Sequence, residues 1–510
     1  MRLRQLIDSL EMIGQNPPIG HGVIEVSELR EICLSIQARG GRLLALWGDH
    51  TANKTQPFAL QLAFVLAPQP GLVWLTVVLG EAEYPSIHDI FPCASRMQRA
   101  VYDLVGIYAK NAADTRKWLR HAAWPQDFFP LQDAFLPDFP IEADHYPFIV
   151  VEGNGVVEIP VGPVHAGTIE PGHFHFSVVG EKVLRLEERL GYKHKGIEKR
   201  FSGLEVFEGA RLAGRISGDS TVAYALSYAM AIENATKTKV PKRAVWLRAL
   251  WLERERIMNH LGDLGALGND AGFAFGLSQF SRLKENMLRL NERLCGHRYL
   301  MDVIVPGGVA QDPEHTLHDV LKEMKILDEE VDLLKSIYDD HAGLQDRFCG
   351  TGCLHATVAT RLGITGLAAR ASGKTMDLRA DYPYPPYDQL NVQTASFADG
   401  DVAARVAVRF AEIKESLRLC TAIIQQMPQG PVATAVKAQK GIGAGIVEGW
   451  RGEVFFAITL DENGVLARVH AHDPSWQNWP ALEIAILDNI VPDFPLINKS
   501  FNLSYSGHDL

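Results

Sequence analysis

Cysteine is scarce in this chain of 510 residues. Only six are present and they are spread thinly, at Cys33, Cys93, Cys295, Cys349, Cys353 and Cys420. Such scattered cysteines do not form a disulfide framework, so a reducing compartment is expected. They also do not provide the set of four thiolates that an iron–sulfur cluster requires. The chain is therefore expected to bind no such cluster by itself.

Long hydrophobic runs are missing as well. The most apolar stretch, Leu60–Leu79, is interrupted by Pro68, Gln69, Pro70 and Gly71. A membrane-spanning helix needs about 20 predominantly apolar residues. The stretch instead predicts two strands joined by a Pro-Gly turn. The first 18 residues contain no continuous apolar segment, so no export signal is expected.

Positive charge is not in excess. The chain has 50 basic and 61 acidic residues, which gives a formal net charge of −11. A protein that gathers phosphates needs a basic surface field, and this balance does not supply one. Nucleic acid is therefore not expected as a partner.

The remaining composition is that of a soluble globular protein, with 47% apolar and 22% charged residues. The length predicts two or three domains. Residues 1–125 mix short helical patterns with β-rich runs at 43–47 and 72–79, which predicts a small α+β domain. Residues 126–148 are rich in proline and predict a linker. Residues 149–510 predict a mainly helical domain with small β-sheets, so the overall fold class is α+β.

Within the second domain, apolar residues recur at three- and four-residue intervals, as helices in a bundle require. This spacing predicts helices at 181–190, 219–235, 241–265, 278–300, 315–340 and 400–426. Strands are predicted at 155–160 and 173–179, and a further β region at 445–460 and 464–470. The end of the chain, 474–510, is predicted to be rich in loops.

A first motif lies in the N-terminal domain, where residues 99–107 read Arg-Ala-Val-Tyr-Asp-Leu-Val-Gly-Ile. This motif resembles the signature of the complex I 30-kDa subunit family. The resemblance implies a scaffolding domain without a cofactor of its own. Local pattern alone also fits a helix that ends at a glycine turn.

More specific motifs follow over residues 150–510. They lie at 162–174, 191–199, 248–263, 269–275, 304–308 and 449–453. In order and spacing these segments resemble the large subunit of membrane-bound energy-converting nickel–iron hydrogenases of the formate hydrogenlyase type and the related 49-kDa subunit of complex I. The chain is thus similar to a fusion of the 30-kDa and 49-kDa types of subunit.

The resemblance implies four thiolate ligands for nickel and iron, from an Arg-Ile-Cys-Gly-x-Cys motif and an Asp-Pro-Cys-x-x-Cys motif. Here the flanking residues are present, but the four cysteine positions hold other residues: Ser217, Ser220, Ser475 and Asn478. Soft sulfur ligands suit nickel, and neutral hydroxyl or amide groups are poor substitutes. The nickel–iron centre is therefore predicted to be absent. The 32 residues after Asn478, which hydrogenases remove once the metals are loaded, are expected to remain part of the fold.

The same resemblance nominates residues around this vestigial site, the name used below for the four substituted ligand positions. Glu170 matches the proton carrier of hydrogenases, although a structural glutamate in a cap or salt bridge is the alternative. Charged residues of the retained motifs are expected to line a polar pocket together with His165. They are Arg215, Asp219, Arg451 and Asp473.

A quinone site at the position used in complex I is disfavoured. Gly218 and Ile169 stand at about the positions of the Tyr and His that bind the quinone there, and neither side chain can hydrogen-bond a carbonyl. His165, His194 and Tyr224 could form a different site.

The expected function is that of a subunit in a membrane-associated redox or ion-translocating complex. The expected partners are a small subunit that carries an iron–sulfur cluster and membrane subunits of the complex I type. These partners would hold the chain at the cytoplasmic face of the membrane. Two alternatives remain open: a subunit that reduces a quinone or another small acceptor, and a structural or coupling subunit without redox chemistry.

Overall fold

The computed structural model describes residues 2–50, 57–66, 71–121, 125, 128–132, 145–165 and 169–510, with side chains from residue 6 onward. Most of the predicted linker at 126–148 lies outside the described residues, as do residues 68–70 of the predicted Pro-Gly turn. The domain boundaries at 125 and 148 therefore stay predictions.

The N-terminal region is built around a β-sheet. Its described helices and strands are α1 (Arg2–Ser9), β1 (Glu11–Gln15), β2 (Pro18–Glu25), α2 (Leu29–Gln37), β3 (Arg42–His50), β4 (Phe58–Val65), β5 (Leu72–Leu79), β6 (Glu83–Pro85), α3 (Ala94–Val105) and β7 (Tyr108–Lys110). Five strands form one sheet in the order β1-β2-β5-β4-β3, in which β2 and β5 are parallel and the other neighbours antiparallel. β6 and β7 form a second, two-stranded sheet. The two strands predicted within 60–79 are confirmed as β4 and β5.

The rest of the chain is mainly helical, with small sheets. Its strands are β8 (Val156–Val161), β9 (His173–Val179), β10 (Lys182–Arg189), β11 (Ile304–Val305), β12 (Gly308–Val309), β13 (Gly441–Glu448), β14 (Glu453–Leu460) and β15 (Leu466–His472). They form two antiparallel three-stranded sheets, in the orders β10-β9-β8 and β13-β14-β15, and one two-stranded ribbon. The predicted β region at 445–470 thus consists of three strands.

Fourteen helices belong to this second region within the described residues. They are α4 (Ile197–Phe201), α5 (Val206–Ala213), α6 (Thr221–Thr236), α7 (Lys242–Asp270), α8 (Ala274–Cys295), α9 (Leu317–Asp340), α10 (Ala342–Phe348), α11 (Ala356–Leu362), α12 (Gly366–Ala371), α13 (Leu378–Asp381), α14 (Val402–Gln425), α15 (Ser475–Ala485), α16 (Phe494–Phe501) and α17 (Tyr505–Asp509). The α+β fold class is confirmed, as are the five long helices predicted from 219 onward.

The centre of the bundle is α7, which packs against α8 and α14. It is buried on nearly every side, and it carries charged residues into the core, among them Glu253, Arg254, Glu255 and Arg256. A helix that is buried all round is normally apolar. Its charged side chains therefore need partners from the surrounding elements.

The N-terminal sheet packs directly onto the second region. The rings of Trp47 on β3 and His470 on β15 stack at 4.4 Å, and Arg468 donates to Asp49 at 2.6 Å. Gln477 on α15 donates to the carbonyl of Leu44 at 2.5 Å. These contacts fix β15, and with it the start of α15, against the sheet.

The prediction of a helix at 181–190 is wrong, because this segment is β10. A β-bulge between Val183 and Arg185 shifts the pairing register with β9. Because of this shift, Val183 and Leu186 are both buried although they are three residues apart. In a regular strand such residues would face opposite sides, so the bulge imitates the spacing of a helix.

The prediction of a loop-rich segment at 474–510 is also wrong, since it contains α15, α16 and α17. Pro474 is the N-cap of α15 and Pro495 lies in the first turn of α16, whereas Pro480 lies inside α15. Proline is well tolerated in a first helical turn, where its missing N–H would have no partner.

None of the helices in the described part of the chain is long and apolar enough to cross a membrane.

Candidate functional site

Four segments meet at the vestigial site. They are the loop that precedes α6 (217–220), the turn between β13 and β14 (449–452), the junction of β15 and α15 (473–475), and residues 502–507 near the end of the chain. Ser217, Ser220, Ser475 and Asn478 are all buried, with at most 4% of their surface exposed. The two motifs that the sequence places about 250 residues apart are therefore joined in one buried site.

Asp219 and Arg451 form the charged centre of this site. The two terminal guanidinium nitrogens of Arg451 donate to the two carboxylate oxygens of Asp219 at 2.9 and 2.5 Å. Arg451 also donates to the carbonyl of Asn502 and lies over the ring of Trp450 at 3.9 Å. Burial alone would raise the pKa of Asp219, but the charge and hydrogen bonds of Arg451 hold it at about 2. The pair is therefore ionised at neutral pH.

Ser504 occupies the space between the two ligand motifs. Its hydroxyl lies 2.9 Å from the hydroxyl of Ser217 and accepts a hydrogen bond from the amide of Gly507. Its own amide donates to the hydroxyl of Ser475 at 2.9 Å. Ser217 in turn donates to Asp219 at 2.7 Å. The segment after α16 thus closes the site with a chain of hydroxyl groups.

Asp473 is held by two donors. The hydroxyl of Tyr224 donates to one carboxylate oxygen at 2.6 Å, and the amide of Ser475 donates to the other at 2.8 Å. Gly507 packs against this pair: a Cβ atom there would lie 2.6 Å from the Tyr224 hydroxyl and 2.7 Å from Asp473. Only glycine allows so close an approach. The end of the chain therefore fills the volume beside the two motifs.

The fourth ligand position, Asn478, is turned toward a neighbouring backbone. Its side-chain oxygen accepts from the amide of Thr365 at 3.1 Å, and its side-chain nitrogen donates to the carbonyl of Thr365 at 3.2 Å. Both hydrogen-bonding groups of the amide are thereby used within the protein.

These residues do not fit a nickel–iron centre. The donor set consists of three hydroxyls and one amide, where such a centre needs soft thiolates. Each of the four side chains also takes part in hydrogen bonds with the protein. Within the described ranges, no group of three or more His, Cys, Asp or Glu residues is arranged to hold a metal ion.

Glu170 lies at the edge of the site and contacts the same terminal segment. Its carboxylate accepts from the amide of Ser506 at 2.9 Å and lies 3.6 Å from the ammonium of Lys193. The side chain is 39% exposed. These contacts are those of the structural alternative, and the proton-path role stays a prediction.

The other nominated residues do not join the central group. Arg215 lies at the surface and forms an ion pair with Asp302 at 2.7 Å, with 44% of its side chain exposed. His194 contacts the carbonyl of Asp509 at 2.8 Å through Nδ1. His165 precedes residues 166–168, which lie outside the described ranges, and its Nε2 has no hydrogen-bond partner among the described residues.

Sequence reasoning missed several residues that build the site. Trp450 donates to the hydroxyl of Ser220, Asn259 donates to the carbonyl of Asp219, and Glu255 accepts from two amides at the start of α6. Burial raises the pKa of Glu255 to about 8. All three lie in the motifs at 248–263 and 449–453, so the motifs marked the right segments without assigning the roles. Nothing local to Ser504 marked its position.

A separate cavity lies at the seam between the two regions, with about 620 Å³ of empty volume including its mouth. α3 and β3 supply an apolar wall, and the opposite side contains Glu198, Arg468 and His470. Of the nominated residues, only His194 lines it. This cavity is therefore distinct from the vestigial site.

The fold and the site define a two-part chain: an N-terminal α+β region joined to a mainly helical region in which two distant motifs bring buried hydroxyl and amide groups together. Residues 23–142 match the family described as respiratory-chain NADH dehydrogenase, 30 Kd subunit, and residues 270–442 match the 49 Kd subunit of the same enzyme.

Curated relatives extend this match over nearly the whole chain. Formate hydrogenlyase subunit 5 of Escherichia coli K12 is 30% identical over 92% of this chain and 85% of the relative. Hydrogenase-4 component G of the same organism is 31% identical over 84% of this chain and 76% of the relative. The chain belongs to the family of fused 30-kDa and 49-kDa respiratory subunits related to these hydrogenase subunits. The resemblance predicted from the motifs is confirmed.

The fold also matches that of a subunit in a solved structure. A chain of the membrane-bound sulfane sulfur reductase, an archaeal respiratory membrane complex, superposes with a TM-score of 0.66 and 25% identity. The match covers 70% of this chain and 99% of that chain.

Proposed function

We propose that this chain is a peripheral subunit of a membrane-associated respiratory complex of the complex I and hydrogenase type, and that it works without a nickel–iron centre. The observation that carries the proposal is the closure of the vestigial site by Ser504. The family frame is retained there, including the Asp219–Arg451 pair, while three hydroxyl groups and one amide stand in place of the metal ligands. A site whose frame persists without its ligands supports a role in assembly and ion coupling rather than in hydrogen chemistry.

The partners follow from the relatives. The structural relative belongs to a respiratory membrane complex, and the curated relatives are subunits of hydrogenase and NADH–quinone oxidoreductase complexes. The proposed partners are a small subunit with an iron–sulfur cluster, placed near the vestigial site, and membrane subunits that hold the chain at the cytoplasmic face. Residues 1–125 would serve as a docking domain and 149–510 as the large-subunit domain.

Affinity purification through a tag on this chain, from detergent-solubilised membranes of its own host, tests this assignment. Mass spectrometry is expected to identify a small subunit with cluster-binding cysteines and at least one multi-span membrane subunit in stoichiometric amounts. Recovery of the chain alone from the soluble fraction, with no membrane subunit, would overturn the proposal.

The purified complex is expected to contain less than about 0.1 nickel per chain, because oxygen and amide donors bind this metal poorly in place of thiolates. Elemental analysis by mass spectrometry measures the nickel content. A related hydrogenase with its four cysteines, purified in the same buffers, serves as the positive control. A content near one nickel per chain would contradict the prediction.

Glu170→Gln is expected to lower proton-coupled turnover of the assembled complex by at least about tenfold, since glutamine keeps the contact with Ser506 but cannot carry a proton. Turnover is measured with the complex in proteoliposomes. Glu462→Gln, at an exposed ion pair with Lys440, is the matched control. Full activity of Glu170→Gln would show that Glu170 is structural.

A further inference from the structure

A cluster of buried charges lies in the helix bundle behind the vestigial site, and it is not part of that site. Its members come from α7, α12, α13 with the residue before it, α14 and the end of β13. Each has at most 2% of its surface exposed. The four carboxylates are Glu253, Asp377, Glu412 and Glu448. The three guanidinium groups are Arg256, Arg370 and Arg379.

The seven groups are connected without a gap. Arg379 donates to Glu253 at 2.9 Å and to Asp377 at 2.7 Å. Arg370 donates to Glu412 at 2.7 Å and to Glu448 at 2.8 Å.

Arg256 joins the two halves of the cluster. Its guanidinium lies 3.2 Å from Glu412 and 3.6 Å from Glu253. We call these seven side chains the charge cluster.

The charge cluster is not balanced when every acid is ionised. Four carboxylates face three guanidiniums, which leaves one negative charge without a partner. An uncompensated buried charge costs several kcal/mol, so a buried group of this kind takes up a proton instead. The imbalance therefore requires one proton.

Neighbouring charges do not remove the imbalance. Arg42 is paired with Glu453, and Arg409 is paired with Asp263, which also lies 3.9 Å from the partly exposed ammonium of Lys499. Asp381 at the rim accepts a hydrogen bond from the amide of Asp377, and burial raises its pKa, so it supplies no positive charge. The tyrosines Tyr384 and Tyr387 are buried and uncharged, because burial raises the pKa of both.

His260 on α7 is the neighbouring base, and it does not supply the missing charge. Its Nε2 lies 2.9 Å from Glu412, so this nitrogen donates to the carboxylate. Burial lowers the pKa of His260, whereas Arg370 and His260 outweigh burial and hold the pKa of Glu412 well below its usual value. A neutral His260 beside an ionised Glu412 leaves the excess charge in place.

We propose that the charge cluster is a proton-binding site and that the proton resides on Glu448. Glu448 has the fewest donors of the four acids: one guanidinium nitrogen of Arg370 and, at 3.3 Å, the amide of Leu378. Glu253, in contrast, accepts from Arg379, Tyr387 and Ser416. This site goes beyond the proposed function, because it does not depend on the complex to which the chain belongs.

The position of Glu448 connects the proton to the vestigial site. Arg256 donates to the carbonyls of Glu448 and Gly449, at one end of the β13–β14 turn. Two residues further on, Arg451 binds Asp219. Loss of the proton would change the charge at one end of this turn. The other end of the turn contacts the vestigial site.

Glu448 is expected to titrate near neutral pH. Burial raises its pKa to about 7, against the attraction of Arg370. Its ordinary pKa is 4.5, so the native state binds more protons than the unfolded state between about pH 4.5 and 7. The contribution of this group to stability is therefore complete below pH 4.5 and is lost as the pH rises through 7.

Infrared difference spectroscopy of the purified full-length chain tests the proposal, because a protonated carboxyl group has a carbonyl stretch that a carboxylate lacks. The wild type is expected to lose one such component with a midpoint near pH 7, and Glu448→Gln is expected to lack that component at every pH. Glu255 and Glu188 also have raised pKa values, so the wild-type minus Glu448→Gln spectrum isolates the group. Glu462→Gln, at the surface, is expected to leave the spectrum unchanged.

Glu412→Gln tests the charge count itself. It keeps Glu448 in place but leaves three carboxylates with three guanidiniums, so the Glu448 component is expected to disappear at pH 6. Glu253→Gln makes the same change in charge at a different position and serves if Glu412→Gln does not fold. An unchanged component in Glu448→Gln would overturn the assignment to Glu448. A Glu448 component that persists in both other variants would overturn the charge-balance argument.

Discussion

Gly445→Ala is expected to lower the free energy of unfolding by about 3 kcal/mol, the upper end of the usual cost of overpacking a core. β13 lies against α6 along a row of glycines at alternate positions, Gly441, Gly443 and Gly445. A Cβ atom at Gly445 would lie 2.1 Å from the carbonyl oxygen of Ser227 and 2.9 Å from the amide nitrogen of Ala231. These are backbone atoms of a helix, so the clash cannot be relieved by a change of rotamer. Urea unfolding of the purified chain, followed by circular dichroism, measures the loss.

Gly80→Ala is the matched control for this substitution. A Cβ atom at Gly80 meets nothing within 4 Å, and the residue does not adopt a positive φ. Its free energy of unfolding is expected to stay within about 0.5 kcal/mol of the wild type. If Gly445→Ala were equally neutral, the result would show that β13 does not pack this closely against the backbone of α6.

The sequence predicted the fold class, the long helices and the segments of the vestigial site because these depend on patterns that are local. Apolar spacing marks a helix such as α14, and the two ligand motifs keep their flanking residues. The prediction of a helix at 181–190 was wrong for a physical reason: the bulge at Val183 gives the strand β10 the apolar spacing of a helix. A local pattern does not distinguish the two, since the bulge exists only in the pairing with β9.

The closure of the site could not be predicted, because it depends on contacts between residues far apart in the chain. Ser217 and Ser504 are separated by 287 residues, and their hydroxyl groups are 2.9 Å apart. Ser504 itself has no local signal, as serine is common in loops. The same limit applies to α7, where Arg256 ends the charged run 253–256 in the sequence but finds its partners on α14 and β13. Polarity alone would place such a side chain in solvent.

Asp219→Asn is expected to lower the free energy of unfolding by about 2 kcal/mol. The substitution keeps the shape of the side chain but removes the negative charge that Arg451 faces. Arg451 is buried, with 6% of its side chain exposed, and breaking a fully buried ion pair costs about 3–5 kcal/mol. The expected loss is smaller because Asp219 keeps 38% of its side chain exposed, which allows solvent to screen the pair. Urea unfolding at pH 7 measures the difference.

Asp302→Asn provides the control, because Arg215 and Asp302 form an ion pair of the same kind at the surface, with 44% and 43% of the side chains exposed. This substitution is expected to cost less than about 1 kcal/mol. The loss of unfolding free energy caused by Asp219→Asn should also depend on pH. The pKa of Asp219 is held at about 2, below its ordinary 3.8, so the ionised pair stabilises the protein above about pH 4. That contribution is lost as the pH falls toward 2, and the gap between the wild type and Asp219→Asn should close over the same range. Equal losses for Asp219→Asn and Asp302→Asn at pH 7 would show that Arg451 does not depend on Asp219, and the retained frame of the vestigial site would then contribute nothing to stability through this pair.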